Sequence, residues 1–391
     1  MNYNFEQILD HRYTGSIRWE QPSGRDDVLG MGTADMDFEC APCIKEVLET
    51  VARENIYHYK FKSETYYRSV LRWFRDKYGM EMKKEWMSNV PGTIGAIRLA
   101  LERFSKAGDY VLMQTPYFNP LKNTIIGAGR HFLENPMIYV KEKYEIDFAD
   151  FEEKIHIYRP AIFLLVNPQN PTGRVFTLEE LKKMVEICAK YGVKIISDEV
   201  HFLITYEEHK HIPILAVSEK ARKISIQIFS YSKGFNIMSL PHGIVVIADE
   251  EMQKRWTEYL VPYSFGYASN SFAIAAVTAV AGGEADEWLK QVNEYLYKNR
   301  EIFVSEVKRR KFPINPLKPE AGFLFWIDCR ESGIMPEMLG DIFMEKAGIR
   351  LNNGLEHGED GRGFVRLNFA VTKANLLDAV DRMERIFGER D

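Results

Sequence analysis

Residues 161–166 (AIFLLV) form an unbroken apolar run, and no other stretch limits the fold so much. A strand with one wet face alternates apolar and polar residues. A strand apolar throughout is covered on both faces, as in a parallel sheet clad by helices. The run leads into Asn167-Pro168-Gln169-Asn170-Pro171-Thr172-Gly173 and then into Thr177-Leu178-Glu179-Glu180. The second group has the spacing of a capping box, which satisfies the free N–H groups that open a helix. That helix is predicted to reach Tyr191, Gly192 ends it, and 193–197 (VKIIS) forms the next strand. Strand, loop, helix and strand make a βαβ crossover, right-handed by steric preference.

Further strands are expected at 109–114, 224–228 and 242–248. Toward the C-terminus the pattern changes. A long helical stretch begins near Ala285, followed by a strand at 322–328, a helix near 336–346, a strand at 364–370 and a helix from Thr372. This predicts a second, smaller α/β domain. A chain of 391 residues exceeds one ordinary core, so two domains or three are expected. The boundaries are placed at 1–50 (an N-terminal segment joining the small domain), 51–285 (the large domain) and 286–391 (the small domain).

Several function classes are excluded at this level. A net charge of −5 gives no basic footprint for nucleic acid and no polybasic membrane anchor. No apolar run approaches the length of a membrane span, and the first residues lack the pattern of a signal peptide. Four cysteines in so long a chain make no disulfide framework, so a reducing cytoplasm is the expected compartment. Cys40 and Cys43 form a C-x-x-C without further zinc ligands at finger spacing, and are read as packing residues.

Four segments fall where an open α/β sheet places ligands, beyond the carboxyl ends of its strands. The turn 167–173 carries two side-chain amides on a loop stiffened by proline. Asp198 ends a buried strand, where a carboxylate is costly unless a cation faces it. Asp198, His201, His209 and His211 are a possible metal-ligand set, but they show no ligand spacing. Lys233 lies between hydroxyl residues in Phe229-Ser230-Tyr231-Ser232-Lys233, which makes it a candidate Schiff-base amine rather than a solvated surface lysine. Pro91-Gly92-Thr93-Ile94 opens a helix whose first N–H groups can hold a phosphate. The glycines of 354–363 are read as a flexible loop.

Taken together, these segments resemble the fold-type I pyridoxal-phosphate (PLP) enzymes of the class I/II aminotransferase superfamily. The residues concerned are the NP-x-NPTG turn, the strand-terminal Asp198, the S-x-S-K lysine and Arg366 within Phe364-Val365-Arg366-Leu367-Asn368. Segment 5–19, Ala34-Asp35-Met36-Asp37-Phe38, Asp198-Glu199-Val200-His201 and 361–369 narrow the resemblance to the bacterial cystathionine β-lyase, or carbon–sulfur lyase, branch. The resemblance spans nearly the whole chain. It implies a three-layer αβα large domain with a mostly parallel sheet plus a smaller α/β domain.

The roles it implies are specific. Lys233 bonds to the cofactor aldehyde and removes the substrate Cα proton. Asp198 pairs with the pyridine nitrogen, and Asn170 donates to the ring oxygen and lies beside the substrate. Thr93, Ile94, Ser230 and Ser232 hold the phosphate. Phe118 stacks on the ring, with His201 near its oxygen. Arg366 grips the substrate carboxylate, with Ala34 close by. Tyr59 is lent across a homodimer interface to the neighbour's phosphate. Three departures surround the substrate. Phe118 stands where the branch has tyrosine, Gly32-Thr33 replaces Trp-Val, and Gly234, Met238 and Ser239 alter the stretch after Ser232-Lys233. Tyr117 is a second candidate for the missing hydroxyl. The implied activity is β-elimination from cystathionine, cysteine or related S-conjugates. An aminotransferase is the alternative, and a PLP-binding regulator with incidental catalysis a third reading.

Overall fold

The computed structural model describes residues 2–10, 14–20, 25, 27–206, 209–265 and 270–388. Residues 11–13 of segment 5–19 lie outside this set. The central sheet has seven strands in the order Met87–Val90, Gly243–Ile247, Ser225–Phe229, Lys194–Asp198, Ile162–Val166, Tyr110–Thr115 and His131–Pro136. All run parallel except Gly243–Ile247, which is antiparallel to both neighbours. Ile162–Val166 is buried at every position, as an unbroken apolar run requires.

The helix Leu178–Tyr191 has the predicted capping box of Thr177 and Glu180. It buries Leu181, Met184, Val185 and Cys188, at the 3.6-residue period of one face. Each full burial of such a side chain contributes about 1.5–3 kcal/mol. Gly192 ends the helix in the left-handed region, with φ of 74°.

A second, four-stranded antiparallel sheet runs Asn315–Leu317, Leu324–Asp328, Phe364–Asn368 and Asn352–Asn353. The helices Asp286–Arg309 and Lys373–Phe387 pack against each other beside it. The N-terminal part joins this region, since Leu29–Gly30 pairs in parallel with Ile349–Arg350.

Two expectations need correction. The helix near 336–346 is three short pieces: a 3-10 turn at Pro336–Met338, a single α turn at Leu339–Ile342 and a π turn at Phe343–Ala347. Segment 354–363 is not a loose loop. It forms the 3-10 turns Gly354–His357 and Glu359–Gly361, packed so closely that a Cβ on Gly354 would stand 2.0 Å from the Gly361 carbonyl oxygen. Among the described residues no helix is long and apolar enough to cross a membrane.

Candidate active site

The parallel strands deliver their chemistry to one edge. Asp198 ends its strand, and Asn167, Ser230 and Pro116 each follow theirs. Met87–Val90 runs in the same sense and feeds Gly92 and the helix Thr93–Phe104. Val90 and Phe229 are register partners of Gly243 and Ile244, so Thr93 and Ser230 leave the sheet about two strand spacings, or ~10 Å, apart.

The first turn of Thr93–Phe104 has no side-chain cap and no acidic residue. Its N–H groups and positive dipole end are therefore available to an anion. Ile94 is 41% exposed at this end. Ser230 is buried, and its hydroxyl donates to Ser232 Oγ at 3.0 Å. The Ser232 N–H donates to Ser230 Oγ at 3.2 Å.

Lys233 is partly buried, and its ammonium donates to the carbonyl oxygen of Ala34. Burial pulls its pKa from 10.5 down to about 8; the carboxylates of Asp35 and Asp198 oppose the shift, and Arg366 adds to it. Asp198 is 4% exposed, and its Oδ1 accepts from the Val200 N–H at 3.2 Å. Burial pushes its carboxyl up to about 7, against the pull of Val200 and Lys233. His201 is buried beside Phe323, and burial with the nearby cations drives its pKa down to about 3.

Arg366 closes the other side. Its Nη1 donates to Asn170 Oδ1 at 3.1 Å, and its Nη2 to the Gly32 oxygen at 3.0 Å and to Asn352 Oδ1 at 2.8 Å. Among the described residues its Nε is buried without a partner. Burial lowers its pKa to about 10. The turn bearing Asn170 packs closely against Pro319. Gly173 has φ of 72°, and a Cβ there would stand 2.5 Å from Pro319 Cβ.

The segment carrying Ala34 is tied on two sides. Asn236, three residues past Lys233, donates to the oxygens of Met36 and Phe38 at 3.0 and 2.8 Å. Asn368, two past Arg366, donates to those of Thr33 and Asp35 at 2.6 and 2.7 Å. Arg18, 1% exposed, pairs with Asp35 and Asp37 at 3.1 and 3.2 Å.

Phe118 is half-buried at the start of the helix Asn119–Gly127. Tyr117 does not replace its missing hydroxyl. Tyr117 turns toward Phe132, and its oxygen accepts from Lys122 Nζ at 2.8 Å. Tyr59 is 81% exposed on a loop, so one chain alone does not bury it in the crevice. Asp198, His201, His209 and His211 form no shared cluster among the described residues. His211 pairs with Glu199 at 2.9 Å, and His209 lies 3.8 Å from Glu320, while the field of Lys233 and Arg366 reaches His201. Cys40 and Cys43 pack against the core, and burial raises both thiols, Cys43 to about 11.

One residue at the site escaped the sequence reading. Asn352 meets Arg366 only through cross-strand register, a signal that spacing along the chain does not carry.

Residues 26–383 match the family model for aminotransferase class I and II. The chain is 30% identical to cystathionine beta-lyase PatB of Bacillus subtilis over 384 residues, covering 97% of this chain and 99% of PatB. It is 27% identical to Protein MalY of Escherichia coli, covering 97% of each. The solved structure of cystalysin from Treponema denticola, which contains a pyridoxal 5'-phosphate cofactor, superposes with a TM-score of 0.94 at 25% identity, covering 99% of each chain. The chain belongs to the aminotransferase class I and II family, on the branch that holds PatB and MalY.

Proposed function

We propose that this chain is a PLP-dependent carbon–sulfur β-lyase acting on cystathionine, cysteine or related S-conjugates. The observation that carries the reading is a cluster in which an amine lies within the field of a strand-end carboxylate and of a buried arginine with an orphaned Nε. These fit PLP and an amino acid. Thr93 and Ile94, with Ser230 and Ser232, would hold the phosphate. Asp198 would face the pyridine nitrogen, Asn170 and His201 the ring oxygen, and Phe118 the ring face. The cofactor, when bound, supplies an electron sink for charge developing at the substrate Cα.

The protein's own groups do the rest. Arg366 orients the substrate carboxylate, with Ala34 beside it. An amine pulled down to about 8 is available as a base near neutral pH, so Lys233 takes the Cα proton. Asp198, once faced by a cation, holds its negative charge despite burial. The Cβ–S bond then breaks and the sulfur leaves as a thiol. With one water consumed, the three-carbon skeleton ends as pyruvate and the amino group as ammonia.

Mixing the purified protein with cystathionine tests this. Pyruvate and free thiol formed without a keto-acid acceptor support it. Acceptor-dependent conversion with no thiol released overturns it in favour of the aminotransferase reading. That second reading draws on Phe118 and on Tyr117, whose hydroxyl is spent on Lys122.

We also place the chain in a homodimer with shared sites. Support comes from the loop 55–63, which exposes Ile56, Tyr57, Tyr59 and Phe61 by 60–85%. The two sheets support the division at 1–50, 51–285 and 286–391. Four free cysteines support a cytoplasmic setting.

A further inference from the structure

Arg366 is 5% exposed, and among the described residues no carboxylate pairs with it directly. Its three partners are neutral: Asn170, Gly32 and Asn352. A buried cation left without counter-charge is costly. Here the charge sits one amide away. Asn352 accepts from Arg366 through Oδ1 and donates through Nδ2 to Glu356 Oε2 at 2.9 Å. A guanidinium has no acceptor, so this arrangement fixes which way the amide faces.

Glu356 is itself aimed. Its Oε1 accepts from the Asn353 N–H at 2.9 Å, one half of a capping box that opens the turn Gly354–His357. Asn352 and Arg366 are register partners on adjacent strands, so their side chains share a face. Gly32 allows the close approach, because a Cβ there would stand 3.3 Å from Asn352 Oδ1.

We propose that Asn352 and Glu356 are positioning residues for Arg366, a relay that steadies the guanidinium through Nη2 while the Nε–H and one Nη1–H remain for the substrate carboxylate. A carboxylate in direct contact could take two donors at once and neutralise the cation that the substrate needs. An interposed amide takes a single donor and supplies orientation with a more remote negative charge. The inference rests on the reading of Arg366 as the carboxylate-binding residue.

Calorimetric binding of two probes to the holoenzyme tests it. L-Alanine has the carboxylate and no leaving group; ethylamine is the same skeleton without the carboxylate. Asn352→Ala is expected to weaken L-alanine about tenfold and leave ethylamine unchanged. Glu356→Gln keeps the capping acceptor, loses the charge, and should weaken L-alanine about threefold. Asn352→Asp should weaken it about a hundredfold, because an internal ion pair then competes. In turnover, Asn352→Ala should raise KM with little change in kcat.

Arg366→Gln separates the two levels. If it keeps the wild-type preference for L-alanine over ethylamine, the reading of Arg366 fails and the relay with it. If it erases that preference while Asn352→Ala and Glu356→Gln bind L-alanine like wild type, the relay alone is refuted. Equal weakening of both probes by Asn352→Ala would mean general damage to the site and also overturns the relay.

Discussion

Lys233→Met in the cofactor-free protein isolates what burying the lysine costs the fold. Burial pulls the ammonium from 10.5 to about 8, which corresponds to about 3 kcal/mol of destabilisation while the lysine is charged. The sign follows from proton counting. Between the two values the unfolded chain binds more protons at this position than the folded one. Stability therefore rises with pH from about 8 to 10.5, and below about 8 the full cost is present. Methionine fills a similar volume and carries no charge. The variant should be more stable than wild type by up to about 3 kcal/mol near pH 7, less the hydrogen bond to Ala34, and the gap should close by about pH 10.5. Urea denaturation of both proteins at several pH values measures it. Subtracting the two curves cancels tyrosines and thiols that titrate in both. A gap that stays constant from pH 7 to 10.5 would refute the assigned burial of the amine.

Asp198→Asn should retain cofactor but lower kcat about 10²–10³-fold, read from absorbance and single-turnover pyruvate release. Gly173→Ala should destabilise the protein by about 2 kcal/mol, because φ of 72° and contact with Pro319 both oppose a side chain; a melting curve checks it. Mixing inactive Tyr59→Ala with inactive Lys233→Ala should restore about a quarter of wild-type activity if sites are shared between subunits, since half the dimers are hybrids with one intact site. No recovery after subunit exchange would remove Tyr59 from the partner's site.

What the residues disclose in advance has physical limits. Ile162–Val166 and the Thr177 cap are local patterns, and local patterns determine them. The run 243–247 (GIVVI) is as apolar as its parallel neighbours, so its reversed direction leaves no mark in composition. Met87–Val90 and His131–Pro136 mix polar and apolar residues without a strong period, and their strands emerge only from pairing. The 354–363 glycines looked like freedom. They serve close packing, which depends on what lies opposite rather than on the glycines themselves. The places of Lys233, Asp198 and Asn170 were legible because they follow or end strands, whereas Arg366, in mid-strand, was legible only through the motif it shares with the family. The direction of Tyr117 was not, because Lys122 and Phe132 decide it through three-dimensional contacts.

The pairing of Leu29–Gly30 with Ile349–Arg350 has a consequence for how the molecule is made. Chains emerge from the ribosome N-terminal end first, and early elements usually settle early. Here an early strand must wait for a partner made some 320 residues later. Until then the Ala34 segment is held near Lys233 by Asn236 alone, without the ties from Asn368. Completion of the site is thereby coupled to completion of the chain. A product truncated before residue 349 would keep Lys233, Asp198 and the helix Thr93–Phe104, yet lack Arg366.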